Sequence, residues 1–378
     1  MFIKRTTNVN FNSTNETILG RLKDLLIANC LDGFIHFQTN KANDNVTLHY
    51  LSGVRRLQDA GVIIPLDSDP VLIVKQFEQE RVNSATRIED VRAVVTTPLD
   101  NGLRRIKEVI EEKGLIGKRV GVDDIELTLE VFNKFRSLDV ELVPFGSSIR
   151  LMRMVKTRQE LENIRKAVEL ATLGLKTIES IARDGLTEME FAAEASATME
   201  RHGGEKSFVS VQYAENAAIP HKGSSARKVG SNGLLLVDLG ARVNGYTSDL
   251  TRTFVLGSPP NQQTRLVKLV EEAINQSFMS VVSGQSVEGA AKKARSILGK
   301  NGLPQPKHSI GHGIGLSVHE MPTIEEGEPY VFGEGMVVTI EPAVYLPGIT
   351  GCRIETDVAI TGQGAEMLDT KLFPLSTF

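Results

Sequence analysis

Tryptophan is absent from the 378 residues, tyrosine occurs five times and cysteine only twice. Cys30 and Cys352 cannot make a disulfide framework, so a reducing cytoplasm is the expected setting. So few large aromatics leave little material for carbohydrate platforms or base-stacking surfaces. A field of one sign is missing too: the net charge is −4, and nothing basic draws nucleic acid or anionic lipid. Long hydrophobic runs are lacking as well. The longest, such as 234–237 and 336–338, are strand-sized and far short of a membrane span. The opening residues turn polar at once and carry no apolar signal core. These absences point to a cytoplasmic globular protein with no nucleic-acid and no membrane partner.

What is present fits that class. Hydrophobic residues make up 41% and charged ones 24%, and the length favours two domains. Up to about Val143, helical spacing (residues 16–28 and 102–113) alternates with β-rich runs at 33–37, 61–66, 70–74 and 119–123, as in an α/β domain. Residues 12–15 offer cap candidates for the first helix. Tyr50 to Gly53 and the Glu78/Arg81 pair read as structural. A polar stretch studded by Arg150, Arg153, Lys156 and Arg158 suggests a boundary, giving domains 1–150 and 151–378.

The second domain repeats a plan. A helix over 160–183, a turn at Asp184-Gly185 and a helix opened by Thr187 with Glu190 three later precede a β-rich block at 208–256. A helix over 262–282, a turn at Ser283-Gly284 and a helix opened by Ser286 precede another at 308–360. Gly185 and Gly284, Thr187 and Ser286, and Gly203 and Gly302 are each 99 apart, which indicates an internal duplication of an αα-plus-β unit.

Chemistry concentrates in those β blocks. Asn244-Gly245 is a strong two-residue hairpin signal, and it pairs residues whose numbers sum to 489. Asp238 then faces Thr251, and Asp249 is its diagonal neighbour on the same face. Two carboxylates so placed repel unless a cation lies between them. Around Gly348 a second hairpin pairs numbers summing to 696, which sets Glu341 against Glu355, and Pro342 should end its strand. His308, His312 and His319 fall within twelve positions, and Gly311 and Gly313 let the chain at His312 approach a neighbour closely. Four carboxylates and a histidine suit a hard or borderline divalent cation.

These residues, in the contexts Asp249-Leu-Thr-Arg-Thr, Gly-His312-Gly-Ile-Gly-Leu, Val-His319-Glu and Thr-Ile-Glu341-Pro, resemble the pita-bread metallopeptidases: methionine aminopeptidase, prolidase and aminopeptidase P. The likeness covers about 154–360, and the first domain resembles the creatinase-type domain of the prolidase and aminopeptidase P branch. It implies an α+β chain with a C-terminal pita-bread catalytic domain behind a smaller N-terminal α/β domain. It also implies two divalent metal ions (Mn, Co or Zn) held by Asp238, Asp249, His312, Glu341 and Glu355. His221 and His319 become the non-ligand active-site histidines, Glu341 a proton shuttle, and Arg353 a substrate-carboxylate or ligand partner. The implied activity is Xaa-Pro dipeptidase on proline-containing peptides, in a homodimer. Alternatives are an Xaa-Pro aminopeptidase acting on longer peptides and a metal-free peptide-binding module. Thr323 stands where many prolidases carry Arg, Ala343 where Gly is usual, and Thr356 where Asp is usual. Phe208 and Tyr213 are candidates for an apolar slot that takes the proline ring.

Overall fold

Short β-branched runs separated by amphipathic helices build the first unit. Its six-stranded mixed sheet runs in the order Asp90–Val94, Val71–Lys75, Ala60–Pro65, Gly33–Gln38, Arg119–Val122, Glu141–Pro144. Gly33–Gln38 pairs antiparallel with Ala60–Pro65 and parallel with Arg119–Val122. Ile35, Ile63, Ile73, Val120 and Val122 are buried in one cluster with Val109 and Ile110 of the helix Leu99–Glu112. Central strands covered in this way read as continuous apolar runs. Among the expected cap residues, Asn12 to Thr14 lie outside the described residues, which are 15–39, 45–95, 99–182 and 185–369 of this computed structural model. Thr17 caps the helix Ile18–Ala28 instead, its hydroxyl accepting the Gly20 N–H at 3.1 Å. Tyr50, Leu51 and Ser52 are buried on the helix Val46–Ser52, which Gly53 closes at φ +81°. Arg81 pairs with Glu78 at 2.5 Å.

The chain divides into its two compact units between Arg153 and Met154. The start of the stretch read as polar belongs to the helix Gly146–Met154, in which Ile149, Met152 and Met154 are buried. Its charges masked an apolar stripe, and Arg153 and Lys156 are themselves buried.

In the second unit the helices Arg158–Ile181 and Glu188–Arg201 precede a four-stranded sheet of Glu205–Tyr213, Gly233–Val243, Tyr246–Thr247 and Leu250–Leu256. The helices Asn261–Phe278 and Val287–Lys300 then precede a five-stranded sheet and the hairpin Ala343–Leu346/Thr350–Arg353. Thr187 forms a full capping box with Glu190, and so does Thr157 with Glu160 at the first long helix. Asp184 lies outside the described residues; Gly185 has φ +64° and its counterpart Gly284 +83°.

The repeat extends to the hydrogen bonds at the helix starts. Glu188 N–H donates to Arg227 O and Val229 N–H to Leu186 O; at the second copy Val287 N–H donates to Tyr330 O and Phe332 N–H to Gln285 O. Both helix caps, Thr187 and Ser286, also form isolated bridges, to Lys228 and Val331. Each αα pair is thus tied to its own β block in the same way. The two β blocks meet at a third bridge, Thr251 to Glu355. The site lies there.

Candidate active site

The first hairpin closes as its turn dictates. Asn244 and Gly245 have φ +48° and +88°, both in the left-handed region that a two-residue hairpin turn needs. The ladder pairs Thr251 with Asp238. In the second block Ile340 pairs with Thr356 and Ala343 with Arg353, so one register continues through position 341 against 355. Pro342 breaks the ladder between them, and both neighbours find other partners. Glu341 N–H donates to Ile310 O at 2.8 Å and Glu355 N–H to Thr251 O at 3.0 Å. Thr251 therefore faces Asp238 in one sheet and Glu355 in the other. Its hydroxyl contacts both, Glu355 Oε2 at 2.8 Å and Asp238 Oδ1 at 3.3 Å.

His312 enters from a third strand. Its ring Nδ1 is 3.0 Å from Gly313 O, which assigns the proton to Nδ1 and turns the Nε2 lone pair inward. Nε2 stands 3.5 Å from Glu341 Oε1 and 3.7 Å from Asp249 Oδ2. The glycines beside it are close approaches: a Cβ on Gly311 would lie 2.0 Å from Thr339 O, and one on Gly313 2.1 Å from Met321 O. Asp249, His312 and Glu355 each offer a ligand atom, all within 4.8 Å of one another. Buried Glu355 Oε1 has no hydrogen-bond partner among the described residues. An imidazole lone pair, an orphaned carboxylate oxygen and three further carboxylates crowd one space. The residues fit a divalent cation.

The electrostatics agree. Burial first, and then repulsion from Glu355 and Asp238, hold the Asp249 carboxyl well above its usual range. Burial and then Glu355 do the same for Glu341, and burial and then Asp238 push Glu355 up to about 7. Burial and then His319 push His312 down to about 4, so it is a neutral donor at physiological pH. This has a consequence for stability. A carboxyl at 4.5 in the unfolded chain and about 7 in the fold binds more protons when folded, so between those values the metal-free protein loses stability as pH rises. For Glu355 alone the effect is on the order of ~3 kcal/mol. A bound cation competes with those protons and reverses the slope. The gap in Tm between protein with Mn²⁺ and protein with chelator should widen from pH 5 to pH 7; a gap that ignores pH would contradict this account.

Around the carboxylates stand groups that the sequence reading placed less well. Arg353 is buried, its guanidinium donating to Asp238, to Thr251 Oγ1 at 3.0 Å and to the Tyr345 hydroxyl at 2.8 Å. It lies under the carboxylates as their counter-charge. His308, four residues before His312, touches the Tyr345 hydroxyl at 3.0 Å and faces Glu341 at 3.5 Å. Asp357 is fully buried and accepts the Asp249 N–H at 3.0 Å. It shares strand parity with Glu355, a signal that was there to be used. His319 is exposed, its ring 4.3 Å from that of His312. His221 is exposed at φ +56°. Burial and then the neighbouring His221 lower His319, and burial and then Arg353 push His308 down to about 4. Phe208 pairs with Gly240 on the face that carries Asp238. Tyr213 has the opposite parity and donates to Asn232 O, away from the carboxylates. No helix among the described residues is long and apolar enough to cross a membrane.

Comparison with known proteins places this constellation. Residues 19–155 match the creatinase/prolidase N-terminal domain and residues 162–362 match metallopeptidase family M24. An Xaa-Pro dipeptidase of Pyrococcus furiosus is 32% identical over 330 residues, covering 85% of this chain and 90% of that one. Among solved structures, an X-Pro aminopeptidase from Thermotoga maritima superposes with a TM-score of 0.84 at 28% identity, covering 94% of this chain and 99% of the other. An Xaa-Pro dipeptidase from Bacillus anthracis gives 0.86 at 25%, covering 96% and 99%. The duplicated αα-plus-β unit behind an α/β domain is therefore the pita-bread architecture that the sequence led us to expect, and divalent metal ions belong to it. The chain belongs to metallopeptidase family M24.

Proposed function

We propose that this chain hydrolyses the peptide bond before proline, as an Xaa-Pro dipeptidase holding two divalent cations. The observation that carries the metal half is the meeting of Asp249, His312 and Glu355 around an orphaned Glu355 oxygen. The relatives' activities support the substrate half. In this reading Asp238, Asp249, His312, Glu341 and Glu355 would together hold the cations. Bound there, the cations supply the positive charge that acidifies a water and polarises the scissile carbonyl. Mn, Co and Zn all suit the donor set.

The chain's own residues do the rest. Glu341 has a raised affinity for protons and sits between His312 and His308. It takes the proton of the attacking water and passes it to the departing prolyl nitrogen. His319 and His221, exposed at the rim, donate to the carbonyl as it gains charge. That nitrogen carries no N–H, so the leaving side needs an apolar wall rather than an acceptor. Phe208, on the Asp238 face, supplies it. A panel of Xaa-Pro dipeptides, Xaa-Pro-Xaa tripeptides and matched Xaa-Ala peptides, run with each metal, tests the reading; equal rates on Xaa-Ala would end the proline assignment.

Aminopeptidase activity on longer peptides is the second reading, and Thr323 favours it. Thr323 pairs directly with His312 across the sheet, so it borders the metal ligands. An arginine there would reach a dipeptide's terminal carboxylate, a charge-assisted contact of ~1.5–3 kcal/mol. Thr323→Arg should therefore raise kcat/KM for Xaa-Pro dipeptides by about tenfold or more while tripeptides gain nothing. Equal gains on both lengths would count against a carboxylate contact at this position.

A further inference from the structure

His221 is carried on an excursion of the chain, between the end of the strand Glu205–Tyr213 and Ser225, that opens with the 3-10 helix Ala214–Ala218 and is otherwise turn and extended chain. Its backbone enters the left-handed region twice at non-glycine residues, Ala214 at φ +52° and His221 at +56°. Such a conformation persists only where its surroundings over-determine it. Two fully buried side chains do so here. Glu188, in the first turn of its helix and 0% exposed, accepts from both ends of the excursion: Tyr213 N–H at 2.7 Å, and Ser225 N–H and Oγ at 2.9 and 2.5 Å. It also takes the Asn216 amide at 2.8 Å. Gln212, 2% exposed, grips the turn itself, donating to Ile219 O at 3.1 Å and Lys222 O at 2.6 Å. Those two carbonyls flank Pro220 and His221. Ser210 adds a bond to Lys222 O at 2.8 Å, and Ser210 is the cross-strand partner of Asp238. The histidine's turn is thus bolted to the strand next to a carboxylate of the site.

We propose that Gln212 and Glu188 are positioning residues for His221, one clasping its turn and the other closing the loop that carries it. The inference deepens the peptidase reading and rests on it for what His221 does. Both side chains are buried, with Gln212 on the Asp238 face beneath the turn, and both act through the histidine. Gln212→Leu keeps the volume and removes both N–H donors.

The expected result has three parts. Gln212→Leu retains the wild-type metal content and loses about tenfold in kcat/KM, or 1.36 kcal/mol. The double variant with His221→Ala is no slower than His221→Ala alone, since a misplaced group and a missing one cost the same once the group is gone. In chelated protein, where no turnover occurs, the imidazole Cε1–H NMR signal that His221→Ala abolishes shifts or broadens in Gln212→Leu, and shifts in the same sense in Glu188→Gln. Multiplying losses in the double variant, or an unmoved His221 signal, would overturn the assignment. Full activity in His221→Ala would instead remove the histidine from the peptidase reading, and the NMR comparison would still decide what holds it.

Discussion

Asp249→Ala is expected to abolish turnover and bound metal together while making the metal-free protein more stable. The two halves follow from one position. Asp249 is 6% exposed, faces the inward nitrogen of His312 at 3.7 Å and shares the ligand cluster with Glu355. In the proposed site it would be one of the residues that hold the cations, so its loss weakens their binding. Removing the charge that stabilises one reacting oxygen costs ~10²–10³ in rate, and losing a metal-holding carboxylate should cost at least that much. Bound metal per chain should fall in parallel. Without metal the sign reverses. Asp249 is then a desolvated carboxyl pressed by Glu355, Asp238, Asp357 and Glu341, and alanine relieves that repulsion. The chelated variant should therefore melt at or above chelated wild type, which separates ligand loss from misfolding. Wild-type hydrolysis with full metal content would sink the ligand assignment, and a lower chelated Tm would sink the electrostatic account.

How much of this site could be read from the chain depends on the range of the physics involved. Hairpin parity was legible because Asn244-Gly245 permits one tight turn and a strand has a period of two; Thr251 then had to face Asp238. The register through Glu341 and Glu355 followed from the same rule applied about Gly348. The repeat was legible at its caps, where Thr187 and Ser286 perform one task. What stayed hidden was contact between distant strands. Thr251 and Glu355 are 104 residues apart, and no local pattern says that their two sheets abut. The same holds for Arg353, whose direction is set by Asp238, 115 residues away. A charged residue on a strand can face solvent, substrate or a buried carboxylate with the same periodicity. The helix Gly146–Met154 was missed for a different reason: counting charges between 150 and 158 obscured the apolar stripe of Ile149, Met152 and Met154.

Gly313→Ala should show how tightly the fold holds His312, the histidine proposed to take a cation. Glycine at this position is a matter of space. A Cβ would fall 2.1 Å from Met321 O and 2.6 Å from its carbonyl carbon, and neither atom belongs to a side chain that could swing away. The strand His312–Gly313 pairs with Glu320–Thr323 on one side and with Val337–Ile340 on the other, so it cannot move alone. Relief has to come from separating the strand His312–Gly313 from Glu320–Thr323, which directly follows His319. Overpacking in rigid surroundings costs ~1–3 kcal/mol, and a backbone clash belongs at the upper end, a Tm loss of roughly 10 °C at 2–4 °C per kcal/mol. The Gly313 carbonyl also receives the His312 Nδ1 proton that aims Nε2 at Glu341 and Asp249. Disturbing such an orienting bond typically weakens metal affinity 10- to 100-fold. Gly289→Ala is the control: it lies in the helix Val287–Lys300 with nothing within 4 Å of a new Cβ, and it should gain ~0.5–1 kcal/mol. If Gly313→Ala matched Gly289→Ala in both Tm and metal affinity, the close packing of His312 between its two strands would not be what fixes its proposed role at the cation site.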